Sequence, residues 1–135
     1  MNMKIFGFIK ASILALGLLI APLSANSAEV LKVLGQLNPS ATTATTLYTV
    51  PASTSTVVST ITVANQAASA GSFRIAIRPA GATLAALHYI AYDTAIPANN
   101  TIVLTLGLTL AATDVVTVYA SSASISFSIF GSELS

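Results

Sequence analysis

From Ser124 to Ile129 the chain alternates hydroxyl and apolar side chains, with Ile125, Phe127 and Ile129 on one face of an extended segment and Ser124, Ser126 and Ser128 on the other. A period of two marks a strand with one buried face; a helix would scatter the same residues around its circumference. The stretch Asp114–Gly131 reads as two strands joined by a small-residue turn, and most of the chain after residue 29 repeats that design. Val30–Leu37 is a first strand, interrupted at Gly35. Asn38-Pro39-Ser40 is a turn signal, and Ala41–Thr46 is a linker of small residues. Leu47–Val50 is a short strand stopped by Pro51. Ser55–Asn65 is the longest, with Val57, Ile61 and Val63 expected on one face and Thr56, Thr60 and Thr62 on the other.

Downstream, Ser72–Arg78 alternates Phe73, Ile75 and Ile77 inward with Arg74, Ala76 and Arg78 outward, and closes at Pro79 and Gly81. Ala82–Ala86 has room for a helical turn and no more. Leu87–Asp93 is aromatic and strand-like, and Ile96–Asn100 is a turn. Ile102, Leu104 and Leu106 alternate up to Gly107, after which Leu108–Thr113 leads into Asp114. The expectation is an all-β, antiparallel β-sandwich of about eight strands, jelly-roll-like, with turn signals roughly every 8–14 residues. Nothing alternates strand with helix, which argues against a parallel sheet.

Composition changes this picture at the N-terminus. The chain of 135 residues is 54% hydrophobic and 7% charged, which raises the question of a membrane protein. The one candidate segment is the apolar run 11–21, preceded by Lys4 and Lys10 and ended by Pro22 and small residues. That run is too short to span a bilayer and has the three-part organisation of a secretory signal peptide. The expected organisation is therefore a leader over residues 1–28, with cleavage after Ala28 or Ala25, and a single domain over 29–135. Any membrane contact is transient and through the leader. Without the leader, Lys32, Arg74 and Arg78 face Glu29, Asp93, Asp114 and Glu133, a net charge of −1. The basic balance thus belongs to the leader, and no footprint for nucleic acid is left. With no cysteine, the domain has neither disulfides nor a thiolate metal site.

Candidate chemistry is sparse. His88 is the one histidine, set beside Tyr89, and reads as a structural side chain with a backbone partner. Asp93 and Asp114 stand at strand ends, where aspartate bonds turn N–H groups; a paired-carboxylate hydrolase site on them has no support in their spacing. Arg74 and Arg78 share a face and suggest either a small anion patch or the charged face of an edge strand. Asn99-Asn100-Thr101 has the form of a glycosylation sequon. No catalytic, cofactor-binding or metal residue is assigned, and no cofactor is expected. The residues describe a scaffold rather than an enzyme.

Several stretches together carry a family likeness. They are Val33-Leu34-Gly35-Gln36, Pro39-Ser40-Ala41-Thr42 and Leu47-Tyr48-Thr49-Val50-Pro51-Ala52, then Asn65, Phe73-Arg74, Tyr92-Asp93, Leu110-Ala111-Ala112-Thr113-Asp114, Val118-Tyr119, Phe127 and Gly131-Ser132-Glu133. In that order the chain resembles small virion structural proteins of tailed phages, particularly those of marine and cyanobacterial hosts. The resemblance implies a small β-sandwich on the particle surface, a capsid decoration or tail-associated subunit. Its implied partners are copies of itself, as a homo-oligomer, and other virion proteins. It carries over no catalytic residue. The leader departs from the pattern, since phage particles assemble in the cytoplasm. A leader fits instead a secreted bacterial surface or filament subunit, or an adhesion module, on the same sandwich.

Overall fold

The computed structural model describes residues 28–135. Its strands are β1 (Glu29–Leu37), β2 (Thr45–Thr49), β3 (Ser55–Asn65), β4 (Gly71–Arg78), β5 (Tyr89–Ile96), β6 (Asn100–Leu110), β7 (Val115–Ala120) and β8 (Ile125–Leu134). They form two four-stranded sheets, a first in the order β1-β8-β3-β6 and a second in the order β2-β7-β4-β5. Every pairing is antiparallel. The partners β1–β8, β2–β7, β3–β6 and β4–β5 trace one long hairpin folded back on itself. The contacts β3–β8 and β4–β7 then roll that hairpin into two layers, which is the jelly-roll arrangement. The leader expected over residues 1–28 lies outside the described residues, apart from Ala28.

The alternation read from the sequence fills the space between the sheets. Val58, Ile61, Val63, Ile125, Phe127 and Ile129 come from the first sheet and Phe73, Ile75, Ile96, Val116 and Val118 from the second, and all are buried. Phe73 and Phe127 meet edge to face across the layers, with ring centroids 6.1 Å apart. That geometry sets the positive rim of one ring against the negative face of the other. At one end of the sandwich Asn65 closes the gap between the layers. Its amide donates to the carbonyls of Ser69 and Pro97, and its oxygen accepts the Ala67 N–H. Among the described residues no buried side-chain polar atom lacks a partner, which is the state a buried polar group must reach to avoid its desolvation cost.

Four expectations need correction. On β3, Thr56 and Val58 point inward and Val57 outward, because Ser59 is an extra residue opposite β8, and toward β6 it faces two residues, Leu106 and Gly107. A one-residue bulge inverts the faces on one side of it, so the alternation that placed Ile61 and Val63 correctly misplaces Val57. β4 is an inner strand between β7 and β5, not an edge. Short 3-10 turns occupy Pro79–Gly81 and Ala86–His88 rather than Ala82–Ala86, so Leu87 sits on an exposed turn. β5 begins later and continues to Ile96.

Candidate functional site

Two surface regions combine unusual geometry with chemistry. The first lies on the outer face of the second sheet. Between Phe73 opposite Thr94 and Ile75 opposite Ala91, two residues of β5, Tyr92 and Asp93, face the single Arg74 of β4. In a regular strand adjacent side chains point to opposite faces; the bulge turns both toward Arg74. Asp93 takes a φ of 46° to do so, a left-handed conformation unusual for a non-glycine residue. Its carboxylate accepts two hydrogen bonds from Arg74, at 2.6 Å from Nε and 3.1 Å from Nη2.

The Arg74 guanidinium is also clamped between two rings, 4.1 Å from the Tyr92 centroid and 4.3 Å from that of Tyr119 on β7. Such stacking is attractive because the cation lies over the electron-rich ring face. The hydrogen bonds to Asp93 hold the guanidinium proton more firmly still. Tyr89 packs edge-to-face on Tyr92 with centroids 4.8 Å apart. Beside these rings the loop Leu84–Ala86 forms the other wall of an open groove of about 660 Å³.

The second region is at the opposite margin, where β1 overhangs the sandwich. β1 has nine residues while β2 has five, so the second sheet does not cover the start of β1. Glu29 through Val33 are all exposed, with Leu31 at 79% and Val30 and Val33 near half. Leu31 shares the outer face with Val57, through Ser132 of β8 between them. On the inner side a polar chain ties the overhang down. Lys32 Nζ lies 2.7 Å from one oxygen of Glu133, and the Tyr48 hydroxyl donates to the other at 2.6 Å. Tyr48 has spent its proton on that bond, so the Thr56 hydroxyl, 2.8 Å away, is the donor to Tyr48. Hydrogen bonding from Lys32, then from Tyr48, holds the Glu133 carboxyl below its ordinary value. Burial, then the bond to Glu133, pushes the Tyr48 phenol up to about 12.

The residues singled out by sequence separate cleanly. Arg74 and Asp93 come together, as described. Arg78, on the same face, donates instead to the Thr117 hydroxyl and the Ala82 carbonyl, so neither arginine is a free anion site. Asp114 accepts from the N–H groups of Ala80 and Ala111 and closes the turn before β7. It belongs to the Arg78 end of β4, roughly 13 Å of strand from Arg74 and its partner Asp93. The two carboxylates therefore do not form a pair. His88 is buried, and its Nδ1 accepts the Ala85 N–H at 3.0 Å. Asn99 is exposed in the β5–β6 turn. Among the described residues no group of three His, Cys, Asp or Glu is placed to hold a metal, and no helix is long and apolar enough to cross a membrane.

Sequence reasoning missed the tyrosine cluster and the Glu133 network. Period-two alternation assigns Tyr89, Ala91 and Asp93 to one face, and nothing local to the sequence announces the bulges that regroup them. Arg74, Tyr92, Asp93 and Tyr119 are each visible in the sequence, but only pairing between distant strands shows that they touch. No protein-family model matches the chain, and no curated protein is significantly similar to it.

Proposed function

We propose that this chain is a non-enzymatic structural subunit of a tailed-phage particle, a capsid decoration or tail-associated protein that packs against copies of itself and neighbouring virion proteins. The observation that carries the reading is the overhang of β1. Val30, Leu31 and Val33 are strand-forming apolar residues that the domain leaves outside its own core. Exposed apolar surface gathered at a sheet margin is what an assembly contact buries. The sequence likeness to virion proteins supports the particle as the setting. The surface is also poor in charge, and two ion pairs, Lys32–Glu133 and Arg74–Asp93, account for two of the three cations downstream of residue 28. Association of such a surface depends little on salt, because few charges are available to screen.

A second reading, a secreted bacterial surface or filament subunit or adhesion module, is favoured by the apolar run 11–21 behind Lys4 and Lys10. Mass spectrometry of the native N-terminus separates the two. The virion reading expects this chain in purified particles, beginning near Val30–Val33. A chain beginning at Glu29, recovered from the extracellular fraction and missing from particles, overturns it in favour of the secreted subunit.

A further inference from the structure

The groove on the second sheet plays no part in the assembly reading. Its walls are Leu84, Ala85 and Ala86 on one side and Tyr89 and Tyr92 on the other, and its volume of about 660 Å³ lies within the range of small-ligand sites. Tyr92 is 57% exposed, yet its ring is held by Arg74 and Tyr89, and Arg74 is in turn held by Asp93. An exposed ring fixed in this way loses little freedom when a ligand settles beside it. The bulge at Tyr92-Asp93, with Asp93 left-handed, is also what lets Ala91 and Ile96, five residues apart on β5, both face the core.

We propose that this groove binds a neutral saccharide. Charge decides the class first. None of the five lining residues is ionic, and the nearest cation is neutralised by a two-point pair with Asp93, so an anionic ligand finds no free partner. A cationic ligand meets Arg74 already seated on the Tyr92 ring. Polarity decides next. The lining combines the aliphatic carbon of Leu84, Ala85 and Ala86 with two phenol rings, a mixture suited to a partner that is apolar on one side and hydroxylated on the other. A pyranose ring has that form, with C–H groups on its faces and hydroxyls around its edge. The groove is open rather than enclosed, and it runs beside β5, an edge strand. It can therefore take an internal unit of a longer glycan. This inference does not depend on the assembly surface, which lies on the other sheet.

The test uses the full chain, purified as it accumulates in the expressing cell. The chain has no tryptophan and four tyrosines, so intrinsic emission reports largely on the site. Maltotetraose, chitotriose and a mannose tetrasaccharide serve as neutral probes, and a heparin tetrasaccharide as the charged contrast, with saturation-transfer NMR as a second readout. At least one neutral probe is expected to bind and perturb tyrosine emission. Tyr92→Ala should weaken it by about tenfold or more, while Tyr92→Phe, which keeps the ring, should weaken it much less. Leu84→Arg, on the loop wall, should abolish it and keeps the test readable if Tyr92→Ala does not fold. Failure of every neutral probe to bind, binding indifferent to Tyr92→Ala and Leu84→Arg alike, or preference for the heparin fragment would overturn the proposal.

Discussion

The two sheets are alike on their inner faces and unlike on their outer ones. Inward, both contribute Val, Ile and one Phe, and these interlock as a single core. Outward, the first sheet shows Ser126, Ser128, Thr60 and Thr62, interrupted by Leu31, Val33 and Val57 toward β1, while its ion pair, Lys32 and Glu133, lies on the inner side. The second sheet gathers Tyr89, Tyr92, Tyr119, Arg74 and Asp93 into one interlocked cluster. The core is thus common property of the layers, whereas surface chemistry is divided between them. One face offers loose apolar surface for association, and the other offers fixed rings beside a groove.

The sharpest way to break the comparison is to damage the shared core. Phe127→Ala removes the ring that meets Phe73, and should cost about 3–5 kcal/mol in a denaturant titration. A negligible shift of the unfolding midpoint would mean that the inner faces are not the common core they are described as. Gly131 tests the β3 bulge. A Cβ at that position would run into the Val57 carbonyl and close on Val58. Gly131→Ala should therefore cost about 1–3 kcal/mol, as crowding in a packed site does. Equal stability in the same titration would show that β3 and β8 can separate freely there.

A smaller effect concerns the ties of the overhang. The Glu133 carboxyl is lowered in the folded protein from an ordinary value near 4.5. The stability it contributes is complete above that value and disappears as pH falls through the lower, folded-state value. Glu133→Gln should lose this contribution at neutral pH and show a flatter decline in thermal midpoint below about pH 4.5. An acid limb unchanged by the substitution would remove Glu133 from the account. The smallest expected change in stability comes from Leu31→Ser combined with Val33→Ser, within about 0.5 kcal/mol because both side chains lie outside the core. The same pair should shift sedimentation toward smaller species, and wild-type assembly should survive an increase in salt. Large destabilisation with unchanged assembly would reverse the roles assigned to the first sheet's surface and its core.

Much of the fold was legible because its information is local. Ile125, Phe127 and Ile129 alternate with serines without interruption, and they point inward as that pattern requires. Asp114 stands where a turn needs an acceptor, and it accepts from Ala80 and Ala111. Legibility failed at bulges. Val57 and Asp93 each follow the local period in the sequence, yet Ser59, Ile90 and the Tyr92-Asp93 step reset that period in the structure. A bulge is a relation between two strands, so one strand's sequence carries little of it. The clusters failed for a related reason: Lys32 and Glu133 lie near opposite ends of the domain, and Arg74 and Tyr119 on strands far apart in the chain.

Sequence alone determined that this is an all-β, antiparallel sandwich of about eight strands, since a period of two and turn residues are properties of neighbours along the chain. The tertiary structure decided which strands adjoin, that β4 lies inside its sheet, and that a tyrosine–arginine–aspartate cluster exists at all. Those outcomes depend on strand order and on register, and a shift of a single residue at a bulge is enough to bring side chains together or turn them to opposite faces.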